Sequence, residues 1–312
     1  MFEALRLRWK PWIIGCCLAP LLGVLSGCST FQLGYGQGPA LGQWWLSRYA
    51  EFTPEQSRQV RAALGDWFSW HRRTQLTRYA DDLARLQQLT AQDLTPAQVC
   101  QQWAVWQQHA AVAAAQALPA VASIGRTLDA GQLAQIARRQ AKVMAEAREE
   151  LLLPTAAERQ EAGYERTLKR AEQFYGRLDE PQRRLLREAV AQLPYDAERS
   201  LAGRQARQQA FLALLREGIG PGVGAAAAGA GSVAGASDGA PPGVPIEAGL
   251  KRLVADTLVP AEGDEAAYRR RLAEANCSLA ARLHNSTSAG QRRELQGRLR
   301  GWETDLRALA GR

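Results

Sequence analysis

The sequence predicts an all-α protein, an antiparallel multi-helix bundle of about eight to ten helices. Apolar residues recur at helical spacing, helix-start signals repeat along the chain, and no alternating apolar–polar run of useful length occurs. With 312 residues, the chain is long enough for one sizeable core behind an N-terminal leader.

The leader comes first. Arg6, Arg8 and Lys10 precede an uncharged stretch, Pro11 to Leu25, which ends in Leu25-Ser26-Gly27-Cys28. Basic residues, a short apolar run and small residues before a cut predict a cleaved signal peptide over residues 1–27. The run is shorter than the roughly 20 apolar residues that a transmembrane helix needs. Leu25-Ser26-Gly27-Cys28 resembles the lipobox of bacterial lipoproteins. The resemblance implies a diacylglycerol on the Cys28 thiol, cleavage before Cys28 and an acyl group on the new amine; no other cofactor is expected. Ser29 stands where enteric lipoproteins retained in the inner membrane carry aspartate. The resemblance thus implies the periplasmic face of the outer membrane. Residues 28–39, rich in glycine, read as a lipidated tether.

The helical body is expected over residues 40–217. Trp45 and Tyr49 share a helix face and read as core together with Trp44; contact of these aromatics with the bilayer interface near the lipid anchor is the alternative. Stripes follow at Val60, Leu64, Trp67 and His71, at Tyr79, Leu83 and Leu86, and at Val99, Trp103, Trp106 and Ala110. The pattern returns at Tyr164, Leu168, Ala171, Tyr175 and Leu178, and again at Leu295, Leu299, Trp302, Leu306 and Leu309. Helix starts are marked by capping boxes, in which a cap oxygen accepts from the third amide and a Gln or Glu reaches back. Thr53/Gln56, Thr95/Gln98, Asp129/Gln132, Thr155/Glu158, Asp179/Gln182 and Ser288/Gln291 all fit. Breaks are expected at Pro119, Pro154, Pro194 and Pro260. Residues 218–249, mostly Gly, Ala, Pro, Ser and Val, read as a disordered insertion. Residues 250–312 complete the same body.

The formal charge is +8, and loss of three cations and Glu3 with the leader leaves +6. Nearly all cations are arginine, which binds phosphate and carboxylate bidentately. A GC-rich composition and a solvated helix surface explain the same bias, and an exported chain is not expected to meet nucleic acid. Cys16 and Cys17 leave with the leader and Cys28 takes lipid, so Cys100 and Cys277 remain as an even pair in an oxidising compartment. A bridge between them is expected; two separate buried thiols are the alternative.

No nucleophile elbow, phosphate loop, zinc-protease motif or dinucleotide fingerprint occurs. Asp81-Asp82 and Glu149-Glu150 read as solvated pairs. Cys100 and His109 lie nine residues apart, on opposite helix faces, and Cys277 and His284 are separated by about 10 Å of rise. No metal site is expected from them. His71 reads as a hydrogen-bonded core histidine, and His284 as a capping or turn residue. Neither catalytic residues nor an enzyme are expected, although a cleft gathering His71, Arg72 and Asp66 would argue for one.

Two resemblances reach beyond the lipobox. Trp44-Trp45 with Tyr49, the run Trp67 to Leu76, and Leu283-His284-Asn285-Ser286-Thr287 resemble an uncharacterised family of Gram-negative lipoproteins, known only as a domain of unknown function. Leu94-Thr95-Pro96-Ala97-Gln98 is similar to the Leu-Thr-x-x-Gln motif of the Spy and CpxP periplasmic chaperones, and Phe52 to Gln56 comes close. The resemblance implies a helical, client-binding protein, although the motif is also plain capping chemistry. The expected partners are the membrane, through the lipid, and an envelope component or client protein; a structural subunit of an outer-membrane complex is the alternative. Trp67, Trp70, His71, Arg72, Arg73, Trp103 and Trp106 are the candidate binding residues. The oligomeric state is open.

Overall fold

The computed structural model describes residues 30–218, 246–258 and 262–311. The expected leader, Cys28, residues 219–245 of the insertion and Pro260 lie outside the described residues. Within them the protein is all-α, with twelve helices and no strand. In order they are α1 (Thr30–Gly36), α2 (Gly38–Ser47), α3 (Pro54–Thr74), α4 (Leu76–Leu89), α5 (Pro96–Gly125) and α6 (Ala130–Leu151). Then follow α7 (Ala156–Tyr175), α8 (Glu180–Ala191), α9 (Ala197–Gly218), α10 (Ile246–Leu258), α11 (Gly263–Asn285) and α12 (Ala289–Ala310).

All six capping boxes are present, each with both reciprocal hydrogen bonds. Three expectations need correction. The tether over 28–39 is helical from Thr30 onward, held down by tertiary contacts: Gln32 Nε2 donates to Asp305 Oδ1 at 2.9 Å, and Tyr35 reaches His71. α5 runs unbroken through Pro119, because Leu118 and Ala122 beside it are buried in the core and their packing outweighs one lost backbone hydrogen bond. Both ends of the expected 218–249 insertion are helical. Gly218 still belongs to α9, and α10 starts at Ile246, buried with Leu250 in the same core.

The core has three main parts. Leu118, Leu128, Leu133, Ile136, Leu212, Leu215, Ile246 and Leu250 join α5, α6, α9 and α10. Leu76, Ala80 and Leu83 of α4 meet Leu295, Leu299, Leu306 and Leu309 of α12, the most extensive helix pair in the structure. Tyr164, Ala171, Leu178, Leu186, Leu279 and Leu283 join α7, α8 and α11. Cys100 on α5 and Cys277 on α11 form a disulfide, Cα–Cα 5.5 Å, across a sequence separation of 177. Closing so long a loop stabilises the fold by up to about 5 kcal/mol in the chain-entropy picture.

Two pairs of capping boxes interlock head to head. Gln56 Nε2 donates to Gln132 Oε1 at 3.1 Å and Gln132 Nε2 to Gln56 Oε1 at 2.7 Å. Each amide also donates to the carbonyl two residues before the other's cap, Gln56 to Thr127 and Gln132 to Glu51, both at 2.7 Å. Gln182 and Gln291 repeat the pattern at 2.8 and 2.9 Å, with Ser286 and Arg177 as the carbonyls. The starts of α3 and α6, and of α8 and α12, are thereby joined.

Candidate functional site

Aromatic and ionisable side chains converge where α1, α3, α4 and α5 meet. The helical spacing of Trp67 and His71 puts both on one face of α3, and their rings stack at 4.6 Å between centroids, 15° from parallel. His71 Nδ1 lies 2.9 Å from the Tyr35 hydroxyl and Nε2 3.2 Å from that of Tyr79. A neutral ring has one donor and one acceptor nitrogen, so one tyrosine donates and the other accepts. Burial lowers the His71 pKa below its ordinary value and raises those of Tyr35 and Tyr79. All three groups are therefore held neutral. Trp67 Nε1 donates to the Ala113 carbonyl at 2.9 Å, and the Arg72 guanidinium lies over the Tyr35 ring.

The network continues through Tyr79, whose ring packs edge-on against His109 at 4.6 Å. His109 Nε2 donates to Asp82 Oδ2 at 2.5 Å, and Asp82 also pairs with Arg85. Asp82 is only 7% exposed, which corrects its reading as a solvated residue. Asp81 and Asp82 diverge by about 100° around α4. One consequently points inward to His109, while Asp81 points outward to Arg307.

Of the candidate binding residues, Trp67, His71 and Trp106 belong to this packed cluster, with Trp106 set against Tyr79 and His109. Trp70 and Arg72 are half-buried at its rim, while Arg73 is exposed and donates to Ser69 Oγ. Trp103 is 56% exposed, contrary to its place in the Val99–Ala110 stripe. The buried residues of α5 lie toward its C-terminal end, at Leu118, Ala122 and Gly125. Asp66 is exposed, about 140° around α3 from His71, so it does not join His71 and Arg72 in a cleft. Tyr35, Tyr79, Asp82 and His109 complete the cluster without having been candidates. Only Tyr79 carried a signal, its place in the α4 stripe.

The remaining histidine is structural. His284 is 1% exposed; its Nε2 donates to the Gln92 carbonyl at 2.9 Å, so Nδ1 accepts from the Tyr175 hydroxyl at 3.1 Å. Burial lowers its pKa and pushes that of Tyr175 up to about 12. The neighbouring Asn285 side chain closes both hydrogen bonds of the Leu94 backbone, at 2.7 and 3.0 Å. Cys277 is in the disulfide and His109 on Asp82, so no zinc set forms from the four residues.

A second feature is a shallow groove of about 440 Å³ between α5, α9 and α10, floored by Phe211, Leu253, Val254 and Leu258. Arg204 and Arg207 stand at its edge, and burial together with Arg269 lowers the pKa of Arg207.

The family of unknown function DUF6279 matches residues 48–222, more than half of the chain. The chain belongs to that family. The match takes in the His71 cluster from α3 to α5 and three of the four interlocked glutamines, but ends before α10. No curated protein and no solved structure matches the chain.

Proposed function

We propose that this protein is a lipid-anchored envelope lipoprotein that binds a periplasmic client or another envelope component and catalyses no reaction. In this reading Cys28 carries the diacylglycerol and N-acyl groups, and the body stands on the periplasmic face of the outer membrane. One observation carries the binding part. Each of the three histidines is held by hydrogen bonds inside the protein, whereas large apolar side chains such as Trp44, Trp45 and Trp103 face outward. The imidazoles are thus committed to the fold, while exposed tryptophans with arginine beside them, as Arg48 is over Trp44, suit recognition. The Leu94 to Gln98 box supports a chaperone-like version, in which several unfolded clients share one surface.

Photo-crosslinking in cells tests this reading, with probes at positions 70, 73 and 103 of the full chain. A broad set of unfolded envelope proteins is the expected outcome. A single recurrent protein would replace client binding by assembly into one complex. Crosslinks confined to the chain itself would remove these positions from any binding surface.

A further inference from the structure

Charge and bulk are distributed unusually over the first two helices. α1 and α2 contain no charged residue, and between Lys10 and Arg48 the sequence has none. A surface helix ordinarily turns its apolar face inward and its polar face to water. α2 does the reverse. Its inner face is made of Gly38 and Gly42, four residues apart and pressed against α3: a Cβ at Gly38 would fall 2.3 Å from the Phe68 ring, and one at Gly42 3.3 Å from Leu64. Absence of side chains there lets the two helices approach closely; Leu46, one turn beyond Gly42, is half-buried, and the other bulky residues of α2 occupy the opposite side. Leu41, Trp44, Trp45 and Arg48 follow the i, i+3, i+4, i+7 pattern of a single face. All are exposed, Trp44 at 60% and Trp45 at 51%.

α1 adds Phe31 and Leu33, so residues 31–45 hold five of the nine large apolar side chains that stand exposed among the described residues. The tryptophan pair corrects the expectation of core and leaves its alternative, contact with the bilayer interface: Trp45 does pack on Tyr49, at 4.7 Å between centroids, but half its surface stays open. Neither the Trp44 nor the Trp45 indole N–H bonds to another described residue, so each is available to an outside acceptor. Arg48 lies over the Trp44 ring at 5.2 Å and Arg61 reaches Gln43 at 3.3 Å, placing guanidinium groups at the edge of the patch. An apolar face with indole N–H groups and a cationic margin matches the boundary between acyl chains and anionic headgroups.

Position in the chain selects the occupant. Thr30 opens α1 two residues after Cys28, and the three residues from Cys28 to Phe31 span at most about 11 Å. A lipid on Cys28 therefore brings α1 and α2 to the bilayer surface. α2, with ten residues, is about 15 Å long, and no helix among the described residues is long and apolar enough to cross a membrane. A helix of that length brought to a bilayer can lie in the interface but not span it.

We infer that α1 and α2 form a membrane-docking element, which sets Phe31, Leu33, Leu41, Trp44 and Trp45 into an anionic phospholipid surface beside the anchor. The inference rests on the lipid-anchor reading for its orientation. The acyl groups retain the protein on the membrane, and the patch fixes which way the body faces, with α3 lying above α2 through Leu64 and Phe68.

The test uses the full chain, expressed in cells with its own leader and grown on ³²P-phosphate, with a photo-crosslinking residue at position 31, 41 or 44 and, as control, at the exposed position 302 of α12. The anchor contains no phosphorus, so ³²P in the crosslinked protein reports phospholipid at the probe, while tritiated palmitate incorporation, compared with Cys28→Ala, reports the anchor separately. The expected result is a ³²P adduct at 31, 41 and 44 at least about tenfold above that at 302, as interfacial burial of that face requires. Palmitate incorporation without the ³²P adduct overturns the docking element and leaves the anchor standing; protein adducts at 44, including a second copy of this chain, reassign the patch to that partner. A ³²P adduct at 44 without palmitate overturns the anchor and retains the docking surface.

Discussion

At the scale of single residues, the protein holds two of its histidines neutral and away from solvent. His71 sits between two tyrosine hydroxyls under a stacked Trp67, and His284 between Tyr175 and the Gln92 carbonyl; burial lowers the pKa of both histidines below the ordinary 6.5. The sign of the pH dependence follows. Above about pH 6.5 both rings are neutral folded or unfolded, and they contribute no slope. Below it the unfolded chain binds protons that the folded chain refuses, so stability falls as the pH drops toward the folded values. Each histidine contributes up to about 1.4 kcal/mol per pH unit in that window. Glu158 and Glu303, whose pKa values are lowered by bonds from Thr155 and from Arg307, act below about pH 4.5 and do not obscure it. Urea denaturation should show clear loss of stability between pH 7.5 and pH 5.5. The double variant His71→Gln/His284→Gln should start lower and lose much less; equal losses in both proteins would assign the pH response to other groups.

At the scale of helices, the interlocked capping boxes separate what was legible in the sequence from what was not. Thr53/Gln56 and the other five boxes were readable because a cap is a contact over three residues, and apolar spacing gave the helical class for the same local reason. That Gln56 meets Gln132, or Gln182 meets Gln291, depends on which helix starts face each other, and no local pattern encodes that. Asp82 and Trp103 were misplaced for a related reason. The partner of Asp82, His109, lies on another helix, the burial of α5 falls toward its far end and away from Trp103, and the tryptophan face of α2 depends on the close approach of Gly38 and Gly42 to α3. Gln56 and Gln132 are both buried, so removing one amide strands the other and a backbone carbonyl. A stranded buried group costs about 1–3 kcal/mol. Gln56→Ala and Gln132→Ala should each destabilise by about 2–4 kcal/mol, beyond the ~1 kcal/mol of an ordinary lost cap expected for Gln98→Ala. A double-mutant cycle should give at least about 1 kcal/mol of coupling between Gln56 and Gln132, but additivity within about 0.5 kcal/mol for Gln56 with Gln182. Additivity within the first pair would reduce the interlock to two independent caps.

At the scale of the whole molecule, the family match and the physical folding unit do not coincide. The match ends at residue 222, yet Leu76, Ala80 and Leu83 of α4 find their core partners on α12, and Cys100 of α5 is bridged to α11. A chain limited to residues 48–222 would leave the α4 face and the α7–α8 core in water, with no disulfide to constrain the unfolded state. Residues 219–245 are a different matter, because the chain leaves and re-enters the body at one point: a Cβ at Gly218 would lie 3.5 Å from Ile246 Cβ. A loop whose ends already meet costs only closure entropy, which grows slowly with length. Replacing these 27 residues by four Gly/Ser residues should therefore keep the fold and add up to about 2 kcal/mol. The excised protein should unfold cooperatively in urea at or above the midpoint of the full chain, whereas residues 48–222 alone should show a broad, non-cooperative transition. A cooperative transition from the 48–222 fragment would make α10, α11 and α12 an appendage instead of half of the core. Collapse of the excised protein would give residues 219–245 a structural part that the meeting of their ends does not suggest.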